Sequence, residues 1–164
     1  MIQSYFDSEK KAGFVSLAIG LVACSLGSAF FISAMPPFYT GLAVSFVVIG
    51  IMEIWIGSSM SRKSDFQALD MEKLQTYDPA GFVELELPRM EKEMRWYMWM
   101  SSVGGILLVI GILLTAWNRG ETFLSGLACS LLIQSIVVQV FATLGKRRSR
   151  QYIEYVKGIS TKKN

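Results

Sequence analysis

The chain has 164 residues, 52% of them hydrophobic and 18% charged, with a net charge of +3 and no histidine. So small a charge argues against a nucleic-acid surface, and the missing histidine removes haem–His ligation, His-bound zinc and imidazole acid–base chemistry. The charges are also unevenly spread: the fifty residues between Lys11 and Arg62 carry only Glu53, and the fifty between Arg95 and Lys146 carry only Arg119 and Glu121.

Each of these blocks is long enough for two bilayer crossings of about 20 residues. The expected fold is therefore all-α, a polytopic membrane protein with four transmembrane helices arranged as two hairpins. A short N-terminus, 1–11, leads into the first hairpin, 12–60. Its spans, 12–34 and 38–60, are separated by Met35-Pro36-Pro37, because proline cannot continue a helix interior. Lys10-Lys11 ahead of an apolar stretch resembles a signal peptide, but the stretch exceeds the 7–15 residues of such a segment. A polar connection, 61–94, joins the second hairpin, 95–144, whose spans 95–117 and 122–144 break at Asn118-Arg119-Gly120-Glu121. A basic tail, 145–164, follows.

Lys and Arg set the orientation. The N-terminus, the 61–95 segment and the tail hold 15 of the 16, and the two short turns only Arg119. Both termini and the connection are therefore expected on the cytoplasmic side of the membrane. Cys24 and Cys129 lie inside apolar blocks without a Cys-x-x-Cys pattern and read as small packing residues.

A shift of 85 residues aligns Ser16 with Ser101, Gly20 with Gly105, Phe38 with Phe123, Gly41-Leu42-Ala43 with Gly126-Leu127-Ala128, Ser45 with Ser130 and Arg62 with Arg147. The hairpin reads as duplicated, with the repeat axis along the membrane normal. Small residues recur along one face of each span: Ser16, Gly20, Cys24 and Ser28 on span 1; Gly41, Ser45 and Gly57 around Glu53 on span 2; Ser101 with Gly105, and Gly104 with Gly111, on span 3; Gly126, Ser130, Gln134 and Ala142 on span 4. Such ridges allow close helix approach in lipid. They serve packing within the bundle, or a homo-oligomer interface where a ridge is left over.

Glu53 is the one acidic residue inside a span, about 13 Å from its charged end. Ionisable groups at that depth face the bundle or a wet cavity and mark function by default. Ser101, Ser102 and Gln139 stand at comparable depth and Gln134 deeper, so one polar pocket is expected, with Glu53 bonded to Gln139 in the purely structural case. Trp96, Tyr97, Trp99, Phe38, Tyr39 and Trp117 read as interfacial anchors.

In the connection, Phe66, Leu69, Met71 and Leu74 fit one helical face up to a stop at Tyr77-Asp78-Pro79. Phe82, Val83, Leu85 and Leu87 then alternate imperfectly with Glu84 and Glu86, and Pro88 suits the first position of a helix entering span 3. The tail, at +6, is expected to rest on anionic headgroups, with Tyr152, Ile153, Tyr155 and Val156 as the apolar side of an interfacial helix, or to pair with the acidic connection.

No Ser/His/Asp set, carboxylate pair, metal cluster or phosphate loop stands out, so neither an enzyme nor a cofactor is expected. A transporter or channel subunit would rest on Glu53 alone; small multidrug-type transporters place their glutamate in the first span and lack a long central connection. Leu87-Pro88-Arg89-Met90-Glu91-Lys92 with Tyr97, Phe123-x-x-Gly126-Leu127 and Arg147-Arg148-x-Arg150-x-Tyr152 resemble small four-span inner-membrane immunity proteins of bacterial secreted-toxin systems over roughly residues 85–155. That resemblance implies a protein that neutralises a membrane-acting toxin by stoichiometric binding in the bilayer. The partners expected are thus the lipid bilayer and a protein, either a toxin or a subunit of a membrane complex. The ridges of spans 2 and 4 and the two short turns are the expected contact surface.

Overall fold

The computed structural model describes residues 2–33, 36–118 and 120–161, without the side chains of 63–66, 160 and 161. All secondary structure there is helical: α1 (Ile2–Ile32), α2 (Pro37–Tyr77), α3 (Pro79–Trp117) and α4 (Phe123–Thr161). All four are long and apolar enough to cross a membrane, so this is a multi-pass membrane protein.

The helices are longer than a bilayer requires. At 41 residues, α2 extends for about 60 Å, roughly twice the hydrocarbon thickness. The polar ends of α2, α3 and α4 therefore continue beyond the apolar half and, with the start of α1, form a stalk. The expected connection is two helix ends meeting at Asp78, whose carboxylate accepts from Gly81 N–H at 3.0 Å and caps α3 ahead of Pro79. Pro88 does not open a helix; it lies inside α3. Its ring is exposed, and the carbonyl freed four residues earlier belongs to exposed Glu84, where water can satisfy it. The tail is not a separate interfacial helix either. α4 continues through it, burying Tyr152 and Val156 against Ile2, Tyr5, Phe6, Phe82 and Met90. Stacking of Tyr152 on Tyr5 at 4.4 Å and 13° gives these side chains a better apolar partner than headgroups offer. Met71 and Leu74 pack against this core, Leu69 is exposed, and Phe66 lies outside the described side chains.

In the apolar half the helices pack in the order α1–α2–α4–α3. α2 is the most buried of the four and α3 the least. The expected duplication is visible in this packing. A Cβ on Gly41 would overlap the Phe123 carbonyl, and one on Gly126 would overlap the Phe38 carbonyl. Contacts exchanged in this reciprocal way are the mark of a twofold relation. Within the hairpins, Gly27 meets Ala43 and Val47 where Gly111 meets Ala128 and Leu132; Gly20 meets Ile54 where Gly104 meets Gln139. The second helices are thus related by 85 residues, as expected, but the first helices by 84. The partner of Gly20 is Gly104 rather than Gly105. The turn between α3 and α4 is one residue longer than that between α1 and α2, which accounts for the difference.

Candidate functional site

Gly41 on α2 and Gly126 on α4 face each other's helix, whereas Gly57 packs on Gly13 and Leu17 of α1. Gly41, Ser45 and Gly57 on α2 are buried, as are Gly126, Ser130 and Ala142 on α4. These residues of the two ridges are engaged in packing within the chain, and Gln134 of the α4 ridge is half-buried. On α1, Ser16 and Gly20 are buried but Ser28 is exposed; the buried set is Ile2, Tyr5, Phe6, Gly13, Ser16, Gly20 and Gly27, in which Phe6, Gly13, Gly20 and Gly27 recur every seven residues rather than every four. That is the seam of a left-handed crossing.

At the α2–α4 crossing Glu53 is 7% exposed. Its Oε1 accepts from Gln134 Nε2 at 3.0 Å, and Ser16 Oγ donates to the Glu53 backbone carbonyl at 3.2 Å. The other carboxyl oxygen, Oε2, is buried with no hydrogen-bond partner. Gln139, the expected partner, is engaged elsewhere: it accepts from Ser101 Oγ at 2.9 Å and donates to the Ser101 carbonyl at 2.8 Å. Ser102 is exposed and bonds only back to the Met98 carbonyl. Gly105 stands open beside Gln139: a Cβ placed on it would meet Gln139 Nε2 at 3.8 Å. The expected single pocket is therefore two separate pairs, Glu53–Gln134 and Ser101–Gln139. The cause is spacing: positions 134 and 139 are five apart, about 7.5 Å along the axis, so each glutamine meets a different neighbour. Glu53→Leu alone should strand the Gln134 amide and cost about 1–2 kcal/mol, whereas Glu53→Leu with Gln134→Leu should recover most of it. Thermal midpoints of the two variants in detergent check this.

A second polar cluster, not foreseen from the sequence, lies in the stalk. Glu86 is fully buried and receives two bonds from Arg89, Nε to Oε2 at 2.7 Å and Nη2 to Oε1 at 2.6 Å. Arg89 also donates to Gln67 Oε1 at 3.3 Å, approaches Glu93 at 3.7 Å and sits 5.4 Å above the Phe6 ring. Tyr5 OH donates to Glu93 at 2.8 Å, and Arg148 donates to the Ser8 carbonyl. Burial opposes the Arg89 charge, but the bonds and charge of Glu86, with Glu93, outweigh it and hold the guanidinium above its ordinary value. Burial, with Glu93 and Glu9 beside it, pushes the Tyr5 phenol up and keeps it a donor. Among the described residues, no group of three or more His, Cys, Asp or Glu side chains is placed to hold a metal ion.

Glu9 completes the cluster with Oε2 buried and unpartnered. Burial first, then the charges of Glu93 and Glu86, push its carboxyl up to about 7 against the pull of Arg89 and Arg148. The folded stalk therefore holds a proton that the unfolded chain releases. Stability should fall as pH rises from about 4.5 to about 7 and then level off, by on the order of 2 kcal/mol. Glu9→Gln should abolish this slope and raise the thermal midpoint above pH 7. An unchanged slope in Glu9→Gln would assign it to another group.

Sequence spacing could have revealed this cluster. Phe82, Glu86, Met90, Glu93 and Tyr97 follow one another at intervals of three and four on one helix face, but charges within a polar stretch read as solvated. No protein-family model, no curated protein and no solved structure matches this chain significantly.

Proposed function

We propose that this chain is a non-catalytic membrane protein that acts by stoichiometric contact with a protein partner, as an immunity protein against a membrane-acting secreted toxin. The observation that supports contact is the juxtaposition of the two turns. Because Phe38 packs on Gly126 and Phe123 on Gly41, both hairpin turns lie side by side at the end away from the termini. The shared surface exposes Ile32, Pro36, Pro37, Trp117, Gly120 and Glu121; Met35 and Arg119 lie outside the described residues. Trp117 is 88% exposed and Ile32 84%, a rigid aromatic and an aliphatic anchor of the kind that dominates binding energy. Lys and Arg counts orient this face outward from a bacterial inner membrane, where an arriving toxin first meets the bundle. The likeness of residues 85–155 to small four-span immunity proteins supports the same reading.

Protection of cells should scale with expression level and persist when the proton gradient is dissipated. Trp117→Ala should lower partner recovery in mild detergent about tenfold or more, whereas Tyr77→Ala at the opposite end should leave it intact. Protection that collapses with the gradient would instead indicate transport.

A further inference from the structure

At the end of the molecule away from the turns, the ties that hold the start of α1 to the stalk converge on one side chain. Ile2, Tyr5 and Phe6 are buried in the stalk core with Phe82, Met90, Tyr152 and Val156. Tyr5 donates to Glu93 of α3, Arg148 of α4 donates to the Ser8 carbonyl, and Arg89 of α3 lies over the Phe6 ring. Glu9 stands among these groups, one turn after Tyr5, with Oε2 buried and unpartnered. A few residues on, the packing changes character. Gly13 rests on Gly57 and Gly20 on Gly50 of α2, contacts between backbones that carry no charge.

The charges around Glu9 balance only while it is neutral. Facing it are Glu86, Arg89 and Glu93 on α3 and Arg148 on α4, with the phenols of Tyr5 and Tyr97 beside them. α2 meets the cluster through Gln67, which accepts from Arg89; the side chains of 63–66 lie outside the described residues. Glu86 and Glu93 match the two guanidiniums, so an ionised Glu9 is a third carboxylate against two cations. Burial and those carboxylates push its carboxyl up to about 7 from 4.5. An undocked α1 segment returns Glu9 to water and to its ordinary value. Docking is therefore strongest below 4.5, weakens about tenfold per pH unit as pH rises, and changes little above about 7.

We propose that residues 2–12 of α1 form a proton-held latch: a neutral Glu9 keeps them docked on α3 and α4, and loss of its proton loosens them while the membrane-spanning bundle stays packed. Opening uncovers the Phe82 and Tyr152 side chains that Tyr5 and Phe6 cover. Acidification of the compartment around the stalk tightens the latch, and neutral pH loosens it. The latch lies at the end opposite the turns, so its failure would leave the contact reading untouched.

The test is hydrogen exchange by mass spectrometry of the full chain in non-ionic detergent, each rate divided by the intrinsic rate at the same pH. Between about pH 5 and pH 8, protection of the 2–12 segment should fall on the order of fiftyfold, while that of 16–32 and 123–142 stays constant. Glu9→Gln, isosteric and always neutral, should keep the acid-side protection throughout. Glu91→Gln, which changes an exposed carboxyl of α3, should leave the dependence as in the wild type. If Glu9→Gln fails to fold, Glu93→Gln decides: with that charge gone, protection should level off at a lower pH. Protection of 2–12 that ignores pH, a dependence that persists in folded Glu9→Gln, or an equal fall in 16–32 and 123–142 would overturn the proposal.

Discussion

Gly126→Leu should be the most damaging single change in the apolar half, costing about 3 kcal/mol or more. Even the first atom of a side chain there would overlap the Phe38 carbonyl, with the Leu42 amide 3.1 Å away. Both neighbours are backbone, so relief requires the α2–α4 crossing to open. Gly41→Leu should behave alike, since its Cβ would overlap the Phe123 carbonyl. Gly105 supplies the contrast. A Cβ there meets only Gln139 Nε2 at 3.8 Å, an ordinary contact, so Gly105→Ala should be neutral or gain up to about 1 kcal/mol of helix propensity. Thermal unfolding in detergent followed by helicity separates these outcomes. A tolerated Gly126→Leu would contradict the reciprocal crossing.

The second large effect belongs to the stalk. Arg89→Ala would leave the Glu86 carboxylate, whose side chain is fully buried, without either of its two bonds. Removing one partner of a buried ion pair costs about 3–5 kcal/mol, while replacing both with apolar groups is often neutral. Arg89→Ala should therefore loosen the stalk, and Glu86→Leu with Arg89→Leu should restore it. Arg89→Lys should rescue only in part, because a single ammonium cannot reproduce the paired donors Nε and Nη2. Hydrogen exchange of the 82–97 segment provides the measurement. It should accelerate strongly in Arg89→Ala and return toward the wild-type rate in the double variant.

Charge-free blocks and proline breaks were enough to read four helices, two hairpins and the stop at Asp78 from the sequence. The duplication was legible too, because Gly41-Leu42-Ala43 and Gly126-Leu127-Ala128 lie where the two halves touch. The packing period was not. Small residues every four positions on span 1 suggested Ser16, Gly20, Cys24 and Ser28, but the buried glycines are Gly13, Gly20 and Gly27, seven apart. On α3 the same interval links Met90, Tyr97, Gly104 and Gly111, running from the stalk into the apolar half. A period of four drifts around a helix whereas seven returns to nearly the same face, so a short window favoured the wrong ridge on span 1, while on span 3 the pair Gly104 and Gly111 was already visible in the sequence. The polar pairs escaped for a different reason. Depth alone matched Gln139 to Glu53 and set Gln134 deeper, but the azimuth around α4 decides which glutamine reaches it, and that is Gln134. In the stalk, Glu86 and Arg89 had the spacing of an exposed i, i+3 pair. Their burial depends on Phe6 and Tyr152, which are brought there by the two ends of the chain.

The most direct test of the architecture is a cross-link between the two turns. Pro37→Cys and Thr122→Cys would be combined with Cys24→Ala and Cys129→Ala, with a protease site inserted at Asp78. The account predicts that a short bifunctional thiol reagent joins the two hairpins within one chain, so that the fragments stay together after cleavage until the link is broken. Fragments that separate after treatment, or links that form only between chains, would contradict the side-by-side packing of the duplicated hairpins.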